Sequence, residues 1–150
     1  MVKRARPPED LHIIGWREWV GLPDYGVPLI KAKVDTGART SAIHAFRLEE
    51  FLEADTLWAR FEIHPDQRTS EGAIVVTAPI IEYRKIRSSN GVVQNRPVVR
   101  TTLEALDLRI PIDLTLTKRD EMGFRMLIGR AALRKRFLVD PTRSYCGGRR

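Results

Sequence analysis

The sequence predicts an all-β domain, a small barrel or sandwich, and three observations carry that prediction. Short runs rich in Val, Ile, Thr and aromatic residues recur at regular spacing, Gly, Pro, Asn and Asp punctuate them, and only two brief stretches read as helix. The β-type runs fall at 12–20, 27–34, 58–63, 73–81, 83–87, 92–101 and 108–116. In the second run, apolar Ile30, Ala32 and Val34 alternate with Lys31 and Lys33, the period of a half-buried strand. The fourth contains Ala73-Ile74-Val75-Val76, a wholly apolar stretch. Between the fifth and sixth stands Ser88-Ser89-Asn90-Gly91, the strongest hairpin signal, because Asn-Gly tolerates the positive φ of a type I′ turn. A two-residue turn there sets Ser89 against Val92, Arg87 against Gln94 and Lys85 against Arg96. Like charges would then meet, which destabilises by some tenths of a kcal/mol unless an anion lies between them. The helical stretches are 48–54, rich in Glu and Leu, and 130–137, which opens after Gly129 with strong helix formers.

At 150 residues and 43% hydrophobic content, the chain supports one core and one domain. The expected division is a flexible basic arm over 1–10, a β-barrel domain over 11–142 and a basic tail over 143–150. Apolar runs are a few residues long, far short of the roughly 20 of a membrane span, and Pro7-Pro8-Glu9-Asp10 stands where a signal peptide would be apolar. The expectation is a cytoplasmic protein without a membrane partner. Cys146 is the only cysteine, which excludes an internal disulfide. The net charge of +7 favours an acidic partner, and its arginine-rich makeup favours two-point recognition of carboxylate or phosphate. Nucleic acid is the secondary candidate, because 7% aromatic residues provide no stacking strip for a single strand.

Asp35-Thr36-Gly37-Ala38, at the end of the second run, carries the chemistry. A carboxylate ending a strand, then a hydroxyl and a glycine, gives an acid on a tight loop with an unhindered amide beside it. Two such acids within about 3 Å cannot both ionise, so one serves as base and the other as acid toward a bound water. The motif occurs once, so either a second copy of the chain supplies the other carboxylate or the loop does different chemistry. Downstream, Met126-Leu127-Ile128 leads into Gly129-Arg130-Ala131-Ala132-Leu133, an apolar strand entering a short helix.

In that order these elements resemble the retropepsin monomer. Over residues 14–145 the chain is similar to a bacterial family of small retropepsin-like proteins labelled ATP-dependent zinc proteases and associated with a ribosomal-protein glutamate ligase of the ATP-grasp type. The likeness rests on Ile14-Gly15-Trp16-Arg17-Glu18, on 33–45 around Asp35, on Arg87-Ser88-Ser89-Asn90-Gly91, on Arg96-Pro97-Val98-Val99, on Leu127-Ile128-Gly129-Arg130 and on Val139-Asp140-Pro141. It implies a closed acid-protease barrel with one short helix near the C-terminus and a homodimer. Catalysis falls to Asp35, supported by Thr36 and Gly37, acting on an acidic peptide or a glutamate-tailed ribosomal protein. Ala38, Arg39, His44, Arg87, Arg96 and Arg130 are the candidate substrate-binding residues. Viral retropepsins carry an acid where this chain has Arg39, so Arg39 and Arg130 cannot pair, and a groove flanked by two cations selects an acidic substrate. The longer interval from Asp35 to Arg130 implies one extra hairpin, and either residues 60–76 or the Asn90-Gly91 hairpin serves as the flap. Neither zinc nor ATP is expected as a cofactor: His12, His44 and His64 fall in no metal-binding pattern, and no glycine-rich phosphate loop occurs. The rival reading is a non-catalytic basic barrel that binds RNA, ribosome or acidic peptides.

Overall fold

Alternating burial along the chain builds twelve strands among the described residues, which are 11–66, 69, 71–87, 90–118 and 123–148 of this computed structural model. They are β1 (His12–Ile14), β2 (Arg17–Leu22), β3 (Val27–Asp35), β4 (Ser41–His44), β5 (Phe46–Glu53), β6 (Thr56–Ile63), β7 (Ile74–Pro79), β8 (Glu82–Arg87), β9 (Val93–Ala105), β10 (Leu108–Thr117), β11 (Met126–Gly129) and β12 (Phe137–Val139). A single turn of helix, α1 (Arg130–Leu133), lies near the C-terminal end. The arm expected over 1–10 lies outside the described residues. No helix among them is long and apolar enough to cross a membrane.

The main sheet runs β10-β4-β11-β3-β2-β9-β8, and β10 also pairs with β9. Six strands thereby form a closed ring, and β8 hangs outside it on β9. Inward-facing Val20, Ile30, Ile43, Val99, Leu103, Leu114 and Ile128 fill the barrel. Each such side chain contributes about 1.5–3 kcal/mol relative to exposure. A second sheet of β5, β6 and β7 stacks Ala59, Phe61, Val76 and Ala78 onto the same core. This three-stranded sheet occupies the long interval after Asp35, where one extra hairpin was expected.

Stretch 48–54 is not helix but lies in β5, turning at Ala54 and Asp55. Helix propensity is worth only tenths of a kcal/mol per residue, and cross-strand pairing outweighs it. Phe51 sits opposite Trp58, and Arg60 Nη2 donates to Glu49 Oε2 at 2.5 Å. Helix α1 ends at Leu133, short of 137, because the chain turns through Lys135 at φ 65° into β12. The expected strand 12–20 breaks at Gly15. A Cβ there would lie 2.4 Å from the Arg143 carbonyl oxygen, so the backbones touch, and β1 leaves to pair with β12 while β2 pairs with β3.

The β8–β9 hairpin is shifted by one residue from its expected register. Arg87 pairs with Val93, Ile86 with Gln94 and Arg84, not Lys85, with Arg96. The connection spans 88–92, wider than a two-residue turn, and its Ser88 and Ser89 lie outside the described residues. Like charges still meet across the strands, and each guanidinium has a partner of its own. Arg84 is drawn to Glu82 and Asp113, and Arg96 Nε donates to Gln94 Oε1 at 3.0 Å.

Residues 143–148 of the expected tail are docked on β2. Glu18, fully buried, accepts hydrogen bonds from the amides of Gly15 (2.7 Å), Cys146 (3.0 Å) and Gly147 (3.1 Å). Tyr145 stacks on Trp19, and the Arg17 guanidinium lies over both Trp16 and Tyr145. Burial, then the Glu18 carboxylate, pushes the Cys146 thiol above its ordinary range and away from the reactive thiolate.

Candidate active site

Strand parity places Asp35. With Ile30, Ala32 and Val34 facing the core, Lys31, Lys33 and Asp35 fall on the opposite face, so β3 delivers a half-buried carboxylate to its outer end. The loop then folds back on itself: the Ala38 amide donates to the Asp35 carbonyl at 3.2 Å, and the Gly37 amide to Asp35 Oδ1 at 3.0 Å. Asp35 Oδ2 has no hydrogen bond among the described residues. Thr36 and Gly37 are exposed at the tip.

Strand β11 holds this loop. It lies between β3 and β4, parallel to the first and antiparallel to the second, with Gly129 directly beside Asp35. Gly129 donates its amide to Ser41 Oγ at 3.1 Å, and a Cβ at this position would lie 2.6 Å from the Thr40 carbonyl carbon. The amides of Arg130 and Ala131 reach the Ala38 and Arg39 carbonyls at 2.8 and 3.0 Å. The Arg130 guanidinium donates to the Gly37 carbonyl at 3.2 Å, which makes it a brace under the loop. The apposition of Arg39 and Arg130 expected from the sequence is therefore relieved by main-chain oxygens.

Of the other candidates, Ala38 is half-buried in the loop, and Arg39 is exposed with no hydrogen bond or ion pair from its guanidinium among the described residues. Arg87 is the exposed last residue of β8, and Arg96 is buried on β9. His44 lies at the far end of β4, where its amide bonds the Arg125 carbonyl. Its ring stacks on one face of Phe46, while His64 stacks on the other, at centroid distances of 3.8 and 3.7 Å. With a phenyl ring between them, the two imidazoles cannot share a metal ion.

Thr40, Arg84 and Asp113, all outside the candidate set, belong beside the loop. Arg84 Nη1 donates to Thr40 Oγ1 at 3.1 Å, and its other nitrogen reaches Asp113 Oδ2 at 3.3 Å. This ties the base of the β8–β9 hairpin to the return of the Asp35 loop. The sequence signal was the pair of like charges expected across this hairpin, read one position away at Lys85.

Comparison with known proteins agrees with this geometry. Residues 13–150 match the family described as retropepsin-like aspartic endopeptidase RimB. Two curated relatives are similar along most of the chain: a probable alpha-L-glutamate ligase of Shewanella halifaxensis, 43% identical over 136 residues, and one of Parasynechococcus marenigrum, 44% identical over 133. These matches cover 91% and 89% of this chain but only 30% and 28% of the relatives. The chain thus spans less than a third of the ligases it resembles. A solved Legionella pneumophila protein of unknown function superposes with a TM-score of 0.74 at 26% identity, covering 90% of this chain and 97% of that one. With the match running from β1 through the docked tail, the chain belongs to the retropepsin-like aspartic endopeptidase RimB family.

Proposed function

We infer that the chain is an aspartic-type peptidase that works as a homodimer on acidic, glutamate-rich protein substrates. The observation that carries this reading is the Asp35 loop: one carboxylate at the outer end of a strand, one oxygen held by an amide and the other open, the whole braced by Gly129 and Arg130. One copy supplies half of the required pair, and a second copy across a two-fold axis supplies the other. The ionised Asp35 takes a proton from water, whose oxygen attacks the scissile carbonyl carbon, while the protonated Asp35 donates to the carbonyl oxygen. Collapse of the tetrahedral adduct breaks the C–N bond as the amine receives a proton. The scheme uses no metal and no ATP.

The β8–β9 hairpin fits the role of flap. Its base is fixed to the loop through Arg84 and Thr40, and near its tip Val92 and Val93 are 46% and 49% exposed, apolar surface that a bound peptide would cover. The alternative over 60–76 belongs to the separate β5–β7 sheet, and Gln67, Arg68 and Ser70 of its tip lie outside the described residues. Acidic specificity is supported by the net charge of +7 and by Arg39 beside the loop. The relatives named glutamate ligases carry a similar segment within a longer chain, which suits a hydrolase that trims glutamate added by such a ligase.

The test is mass spectrometry of a glutamate-tailed peptide incubated with wild type and with Asp35→Asn. Wild type shortens the peptide and the variant leaves it intact. Shortening by both, or by neither across the pH range, removes the reading. A chain that binds RNA with steep salt dependence, unaltered by Asp35→Asn, would be the basic binding barrel instead.

A further inference from the structure

A cavity of about 260 Å³ opens beside the catalytic loop, between its return, strand β10 and helix α1. Its lining includes Arg39, Thr40, Arg84, Arg100, Asp113 and Ala131. Three guanidiniums therefore face one carboxylate, an excess of two positive charges. Asp113 takes Arg84 on one oxygen at 3.3 Å and Arg100 on the other at 3.1 Å, and Thr40 takes a further N–H of Arg84 at 3.1 Å. Glu82, which does not line the cavity, pairs with Arg84 as well. Both bound arginines are thus held in fixed orientations, each with N–H groups left over, because a guanidinium carries five. Arg39 has no ion partner among the described residues and supplies the unbalanced charge.

We propose that this cavity is a subsite for a single acidic side chain of the substrate, with Arg39 as its specificity-determining cation and the Asp113-bound pair as its preset floor. The proposal rests on the peptidase reading for the origin of the peptide, but the binding chemistry stands apart from hydrolysis. Its volume exceeds the roughly 30 Å³ share of one water several times over, enough for a carboxyalkyl group. Arg39 follows Asp35 through a loop closed by the Ala38 to Asp35 hydrogen bond, so an extended peptide lying over Asp35 passes a neighbouring side chain toward the cavity. Guanidinium and carboxylate meet there in a two-point pair that a neutral amide cannot reproduce, since its NH₂ group would face a donor. Asp113 also acts against cations by keeping Arg84 and Arg100 in place.

Binding separates this proposal from catalysis. Fluorescein-labelled hexaglutamate, hexaglutamine and hexalysine are titrated separately into the Asp35→Asn protein and followed by anisotropy. Hexaglutamate binds at least roughly 10-fold more tightly, Arg39→Gln removes most of that preference, and Arg39→Glu reverses it in favour of hexalysine. Arg47→Gln, an exposed change on β5, serves as the control for general charge attraction and leaves the preference intact. Equal binding of hexaglutamate and hexaglutamine, no binding of either, or equal loss with Arg47→Gln overturns the subsite. Wild type that binds with this selectivity but never cleaves removes the peptidase reading and leaves the subsite standing. Cleavage without selectivity does the reverse.

Discussion

Glu18 shows how much one side chain can organise. Its carboxylate, with no exposure to solvent, gathers amides from the break between β1 and β2 and from the docked tail. A charged acceptor serving one buried donor and two part-buried ones is stabilising at about 1.5–3 kcal/mol per bond, and its removal leaves those donors without their acceptor. Glu18→Ala is expected to lower the stability to urea by roughly 3 kcal/mol or more and to speed labelling of Cys146 by a thiol reagent, with Glu18→Gln intermediate. Unchanged labelling would mean that the tail is not held through this residue. Arg130 plays a similar part for the Asp35 loop, giving its guanidinium to backbone oxygens. From sequence, Asp35 and the Gly129-Arg130 pair were legible because their chemistry is local. The tail partners of Glu18 were not, since Cys146 and Gly147 lie 128 and 129 residues away, and no local pattern announces such bonds.

At the scale of elements, the turns departed most from expectation. Asn90-Gly91, the best turn signal in the chain, belongs to a wider connection, while the two-residue turns are Ala54-Asp55 and Leu106-Asp107. All four of these residues sit at positive φ, from 49° to 67°, where a Cβ is unfavourable. Leu106 tolerates this because it packs on the core and against Gly147. Ala54 is exposed and has no such offset. Replacing Ala54-Asp55 by Asn-Gly is expected to stabilise by about 1 kcal/mol and raise Tm by about 3 °C in a thermal melt, with the fold unaltered. A lower Tm would show that the turn is set by something other than backbone preference. The strand alternation of β3 was readable because period two is intrinsic to one segment. The misreading of β5 arose because Glu and Leu favour helix until β6 offers a partner.

For the molecule as a whole, the contact between the two sheets matters as much as either sheet. The Tyr83 hydroxyl on β8 donates to Glu50 on β5, joining the added three-stranded sheet to the barrel. That hydrogen bond, then burial, pushes the Tyr83 phenol up from 10.0 to about 12, and burial does the same for Tyr25. Both groups are neutral in the fold and have raised values, so their contribution is complete below about pH 10 and is lost as pH climbs toward 12. Thermal melts are expected to hold steady from about pH 7 to 9.5 and to fall above 10, with Tyr83→Phe flattening part of that fall. A decline independent of both tyrosines would place the alkaline weakness elsewhere.

Strand β11 also imposes an order of events in time. The bonds from Gly129 to Ser41 and from Arg130 to Gly37 span 88 and 93 residues, so the loop bearing Asp35 is synthesised long before anything can brace it. Long-range pairing of this kind is slow to close and comes late. The loop that carries Asp35 is therefore left without its brace until β11 has been made and has paired with β3 and β4.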